Sequence, residues 1–159
     1  MTGSGLDRSS ARISEMSLVD YDEVHSLWSA TPGLGLTGAD SREAIGRYLE
    51  RNPGMSFVAR LDGALVGAVI SGHDGRRGFL HHLAVAERCR GAGIGTELVR
   101  RVLAALSAAG MERTHLFVHT TNAVGLRFWA RAGCRRRDDI VMFTFMDDDS
   151  GPGFRPRAE

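Results

Sequence analysis

A mixed α/β domain around a single sheet is the fold class this sequence predicts. Three observations carry it: turn-punctuated apolar runs of strand type from Met55 to Val85, helix-spaced apolar positions on both sides of that region, and the absence of an internal repeat. At 159 residues, 43% apolar and 25% charged, the chain has the size of one domain with a real core. That domain is expected over residues 11–146. Residues 1–10 and 147–159 are rich in Gly, Pro, Ser and charge without periodicity, which predicts flexible tails.

The elements follow in order. A short strand near Ala11 to Met16 precedes a helix capped by Asp20, with Val24, Leu27 and Trp28 on one side. TPGLGLTGAD breaks it, and Asp40 or Ser41 starts a second helix through Ala44, Ile45, Tyr48 and Leu49, which Asn52-Pro53-Gly54 ends. SFVARL, the Asp62-Gly63 turn and ALVGAVISG form a hairpin signal, and GFLHHLAV adds a third antiparallel strand. Ile94, Leu98, Val102 and Leu106 recur every four residues along the clearest helix, with Gly110 at its end. THLFVH predicts a strand, Asn122 to Ala132 a helix closed by Gly133, and RRRDDIVMFTF a final strand.

Composition excludes several classes. Twenty Lys+Arg against 19 Asp+Glu leave a net charge of +1, with no basic stripe and interleaved aromatics, which argues against nucleic acid as partner. No apolar run approaches the roughly 18 residues of a membrane span, and the polar start MTGSGLDRSS is unlike a signal peptide. The two cysteines, Cys89 and Cys134, show neither disulfide nor metal-ligand spacing, so no metal and a reducing, cytoplasmic setting are expected.

The chemistry starts at Arg90-Gly91-Ala92-Gly93-Ile94-Gly95-Thr96, between an apolar strand and the start of the strongest helix. Such a loop aims several backbone N–H groups at one anion, and the helix dipole adds about half a positive charge. Phosphate is the natural ligand, because glycine lets the backbone approach closely and adopt positive φ. A Rossmann fingerprint would need Gly where Thr96 stands, and no Gly-Lys pair completes a P-loop.

Arg90 to Gly95 matches the R/Q-x-x-G-x-G/A motif, and the segment from Asn122 through Phe128-Trp129 to Gly133 matches a second motif, of the GNAT superfamily of N-acetyltransferases. The resemblance extends over roughly residues 11–145. It implies a mixed central sheet of about six to seven strands flanked by about four helices. It also implies acetyl-CoA as acetyl donor, with the pyrophosphate on the backbone of Arg90, Gly91, Ala92, Gly93, Ile94, Gly95 and Thr96. The pantetheine arm would pair with Leu83, Ala84 and Val85, and Asn122 and Phe128 would contact the cofactor. The fourth and fifth strands would splay apart, with an N–H near Leu83 facing the oxyanion.

An alkylammonium, with a pKa of about 10.4, must lose a proton before its nitrogen attacks a thioester. His81 and His82 stand beside the expected cleft, and strict alternation sends them to opposite faces, His81 in line with Phe79 and Leu83. FLHHLAV resembles HLHALAV of serotonin N-acetyltransferase, whose strand histidines are linked to amine deprotonation, which favours His81 as the base. Phe79 takes the other histidine's place, so a relay here would draw on His82, His119 or Asp74. Trp129 stands where many members have a tyrosine acid, and indole is no useful acid. Phe117 stands where certain protein N-terminal acetyltransferases carry a glutamate base.

Direct attack by a primary amine of a small molecule or protein in a ternary complex is the expected reaction, since neither cysteine has a neighbouring base in sequence. Residues 31–40 and 74–77 are the expected acceptor-binding segments. The alternative is a non-catalytic acyl-CoA-binding regulatory module of the same fold. Family members are often homodimers, and the final strand is the expected exchange edge.

Overall fold

The structure, a computed structural model, describes residues 11–147. The expected tails therefore lie, except for Asp147, outside the described residues. Five strands, β1 Arg12–Glu15, β2 Phe57–Leu61, β3 Ala64–His73, β4 Gly78–Val85 and β5 Thr114–Leu116, alternate with helices α1 Tyr21–Ser29, α2 Arg42–Arg51, α3 Ile94–Ala108 and α4 Ala123–Arg131. The sheet order is β1-β2-β3-β4-β5, antiparallel except for the parallel pair β4–β5. The β2–β3 turn is the one Asp62-Gly63 predicts: both residues have positive φ, 50° and 82°, as a two-residue turn between twisted strands requires.

Each face of the sheet carries its own core. On one, Val24, Trp28 and Ile45 of α1 and α2 pack against Val58, Ala68, Ile70 and Ala84. On the other, Ile94, Leu98, Val102 and Leu106 of α3 cover Ala59, Val66, Val69 and Leu80. Full burial of each of these Val, Leu and Ile side chains contributes about 1.5–3 kcal/mol. Gly67 makes the second contact close: a Cβ there would stand 3.1 Å from Leu98 Cδ1 and 3.2 Å from Ile94 Cγ2, so a side chain at this position would make both residues of α3 give way by a few tenths of an ångström.

One expected element is absent. Residues 135–145 carry no strand, so the sheet has five strands rather than six to seven. Ile140, Val141, Met142, Phe143 and Phe145 are all exposed. This run is apolar at successive positions, so a strand made from it would need cover on both faces. Among the described residues no layer supplies that cover. No helix of the described residues is long and apolar enough to cross a membrane.

Candidate active site

The β3–β4 register opens the site. Ala68 lies opposite Ala84 and Ile70 opposite His81, so Val69 alone faces two residues, His82 and Leu83. This is a β-bulge, and it holds His82 at φ 51°, a conformation that few non-glycine residues adopt. The extra residue resets the alternation, so His81 and His82 share one face of the sheet, against the expectation of opposite faces. His81 stays in line with Phe79 and lies 6.2 Å, ring to ring, from Tyr48 of α2, while Leu83 packs toward α3. His82 reaches the α1–α2 side as well, where it meets Asp40 and Trp28.

Strand β5 pairs with β4 only from Gly78 to Leu80. Beyond Leu80 and Leu116 the two strands part, and the opening begins at His81 and Phe117, whose rings stack 6.5 Å apart. On the far side of the bulge, Ala86 N–H donates to Val66 C=O at 2.8 Å, which makes Gly67–Val85 a pair without mutual hydrogen bonds. The N–H and C=O of Val85 therefore point away from β3, into the opening. Arg90 Nε occupies that carbonyl at 3.0 Å. Ala84, the next residue back, turns its main chain to β3 instead, so only part of the expected Leu83 to Val85 edge is open to pairing.

At the end of the opening lies the glycine loop. Gly91 and Gly93 have φ 76° and 82°, and a Cβ at either would meet nothing within 4 Å. Their glycines thus serve the backbone turn and leave open space beside it, where an anion fits. Gly93 caps α3, and Glu97 N–H is the first to return to it, at 3.0 Å. The N–H groups of Ile94, Gly95 and Thr96 precede the first helical turn and are left facing the loop. Phe128 of α4 packs on this turn, 3.4 Å from the position of a Cβ on Gly95.

Asn122 caps α4, its Oδ1 accepting from Gly125 N–H at 2.9 Å. Its Nδ2 lies against the segment after α1: a Cβ on Gly33 would come within 2.7 Å of it, and one on Gly35 within 3.2 Å of His119 Nε2. Residues 33–35 thus span from the α1 side across to the β5–α4 connection. Trp129 packs edge-on against Phe128, ring centroids 4.9 Å apart.

Beside His81 is a cavity of about 190 Å³ lined by Tyr48, Arg51, Asn52, Asp74, Phe79 and His81 among others. Burial pushes the His81 imidazole below its ordinary value, and any positive charge on His82 pushes it the same way against the opposing pull of Asp40. Burial also raises the Tyr48 phenol to about 12. Asp74 stands at the rim, its Oδ1 accepting from the N–H groups of Arg76 and Arg77 at 2.7 and 2.8 Å, and these bonds lower its pKa. A second groove, of about 750 Å³, runs from Leu27 and Thr31 to Val85 and Arg90, alongside the glycine loop.

Sequence reasoning held Asp40 only as a helix start and as the end of the expected acceptor-binding segment 31–40, and did not find its partner. Asp40, read as a helix start, is buried at 5% exposure and bonds His82 Nε2 through Oδ1 at 2.7 Å. The T-x-x-D spacing of Thr37 and Asp40 signals the local cap that fixes this carboxylate, Thr37 N–H to Asp40 Oδ2 at 2.8 Å, but nothing local signals a partner on β4.

Residues 21–134 match the sequence model of the Acetyltransferase (GNAT) family. Acetyltransferase YE1169 of Yersinia enterocolitica is 30% identical over 123 residues, 77% of this chain and 86% of that protein. Among solved structures, Ard1 from Thermoplasma volcanium superposes with a TM-score of 0.69 at 22% identity, over 90% of this chain and 93% of that one. AAC(6')-Iy, in complex with the bisubstrate analog CoA-S-monomethyl-acetylneamine, gives 0.68 at 17% identity, over 84% and 97%.

Proposed function

The chain belongs to the acetyltransferase (GNAT) family, and from that membership we propose that it transfers the acetyl group of acetyl-CoA to a primary amine by direct attack in a ternary complex. The observation that carries this reading is the coincidence, along and just beyond one strand, of a bulge at His82 next to His81, an opening toward β5 and a glycine loop with outward N–H groups at a helix start. The diphosphate of CoA lies on residues 90–96, its charge met by those N–H groups and the α3 dipole. The arm runs back along the outward edge at Val85, displacing Arg90 from the Val85 carbonyl, with Asn122 and Phe128 on the far wall.

The acceptor enters the cavity beside His81, where the neutral imidazole admits a cationic amine and the Asp74 carboxylate attracts it. The histidine pair removes one proton from the ammonium. Its lone pair then attacks the thioester carbonyl, the C–N bond forms, the C–S bond breaks, and CoA leaves as a thiolate that takes a proton from the site or from water. The N–H groups at the bulge are close to where the oxyanion develops. Neither cysteine takes part: Cys89 is buried, and burial raises the thiol of Cys134, the wrong direction for a nucleophile. The exposed apolar run from Ile140 to Phe145 pairs with a second copy, making a homodimer in the cytoplasm.

Calorimetric titration with acetyl-CoA beside a Gly93→Glu variant tests the donor site. Micromolar binding that the variant loses supports the reading, and release of CoA thiol with an amine separates an enzyme from a binding module. A folded wild-type protein that does not bind acetyl-CoA overturns it.

A further inference from the structure

The reading above leaves the proton to a pair of histidines, and the surroundings of those two rings differ. His82 Nε2 lies 2.7 Å from Asp40 Oδ1, and the other oxygen of that carboxylate accepts from Thr37 N–H at 2.8 Å. A carboxylate can only accept, so the ring nitrogen facing it carries the hydrogen, and Nδ1 of His82 is left with its lone pair. Among the described residues Nδ1 has no hydrogen-bond partner, yet none of their buried side-chain nitrogens lacks one, so Nδ1 is reached by solvent. The ring is clamped from the other side too. Trp28 packs on it at 5.0 Å between centroids, and Trp28 Nε1–H donates to the His82 carbonyl at 3.0 Å.

Asp40 is equally fixed. It is 5% exposed, and its own carbonyl accepts from the Tyr21 hydroxyl at 2.7 Å. The backbone of His82 meanwhile holds φ 51° within the bulge, at a site where any glycine would be relaxed. A buried carboxylate, an oriented imidazole and a strained backbone thus meet at the bulge of β4, one residue beyond the His81 that lines the cavity.

We propose that Asp40 is a positioning residue for acetyl transfer, holding His82 as its Nε2–H tautomer so that Nδ1 is the base that takes the amine proton. The assignment rests on the acetyltransferase reading given above. The amine N–H bond breaks and an Nδ1–H bond forms, giving an imidazolium whose Nε2–H stays on Asp40. The freed lone pair forms the C–N bond to the acetyl carbon, the C–S bond breaks, and the imidazolium returns its proton to the CoA thiolate or to water.

Asp40→Asn is the discriminating variant. Thr37 N–H still demands an oxygen, so the amide turns its NH2 toward His82 Nε2 and forces the Nδ1–H tautomer, while the cap and the fold survive. Imidazole nitrogen shifts in a 15N-labelled sample report the tautomer directly, without substrate. The expected result is Nε2–H in the wild type and Nδ1–H in Asp40→Asn, with kcat lowered about 10²- to 10⁴-fold, KM for acetyl-CoA unchanged and the melting temperature preserved. Wild-type His82 found as Nδ1–H, or a tautomer that inverts without loss of kcat, overturns the proposal while leaving acetyl transfer intact. Wild-type protein with the Nε2–H tautomer but no turnover with any amine overturns both.

Discussion

At the scale of single residues, the two adjacent histidines differ in surroundings because one inserted position puts them on one face and only His82 is bonded to a carboxylate. His81 lines the cavity, and burial lowers its pKa below 6.5, with any positive charge on His82 adding to the shift and Asp40 opposing it. Because the folded value is lowered, the ring takes up its proton at lower pH than a free imidazole does. KM for a cationic amine is therefore expected to be flat at neutral pH and above, and to rise as the pH falls through the lowered value. His81→Gln should abolish the acid rise in KM while lowering kcat by no more than about 10-fold, well short of the roughly 10²- to 10⁴-fold loss of a general base. Steady-state kinetics across pH at saturating acetyl-CoA read both effects. A His81→Gln enzyme that loses kcat as fully as His82→Gln would return the role of base to His81.

At the scale of elements, the proposed cofactor and proton-transfer sites rest on two backbone irregularities, the start of α3 and the bulge in β4. Gly91 has φ 76° with open space around it, so Gly91→Ala introduces no clash and costs only the left-handed penalty of an L-residue, about 1–2 kcal/mol. The denaturant midpoint should fall accordingly at an unchanged slope. Acetyl-CoA affinity should weaken in the same variant, because relief of the strain turns N–H groups away from the diphosphate. How much of these elements the sequence discloses is uneven. The α3 stripe and the glycine loop were legible because helical period and loop composition are local properties. The bulge was not, since FLHHLAV reads as ordinary alternation and the insertion exists only relative to the register of β3.

At the scale of the whole molecule, a core lies on either face of the sheet, and Ile140, Val141, Met142 and Phe143 form an exposed apolar run after α4. Phe143 is 90% exposed and Val141 78%, so Phe143→Asp removes nothing from the core. Light scattering behind a sizing column should give a dimer for the wild type and a monomer for this variant, with the thermal midpoint of the isolated domain retained. A wild-type monomer at tens of micromolar, or a variant dimer, would exclude pairing through this run.

The sequence by itself determined the fold class, four of the strands with nearly their observed ends, all four helices, and the glycine loop before α3, because each rests on a period, a cap or a turn readable within a dozen residues. It also put both histidines at the cleft. Only the tertiary structure decided which way they face and what they touch: Asp40 and His82 are 42 positions apart, and Trp28 reaches His82 over 54. It decided against the final strand as well, since pairing depends on a free neighbouring edge and on layers to cover both faces, which residues 135–145 do not encode by themselves.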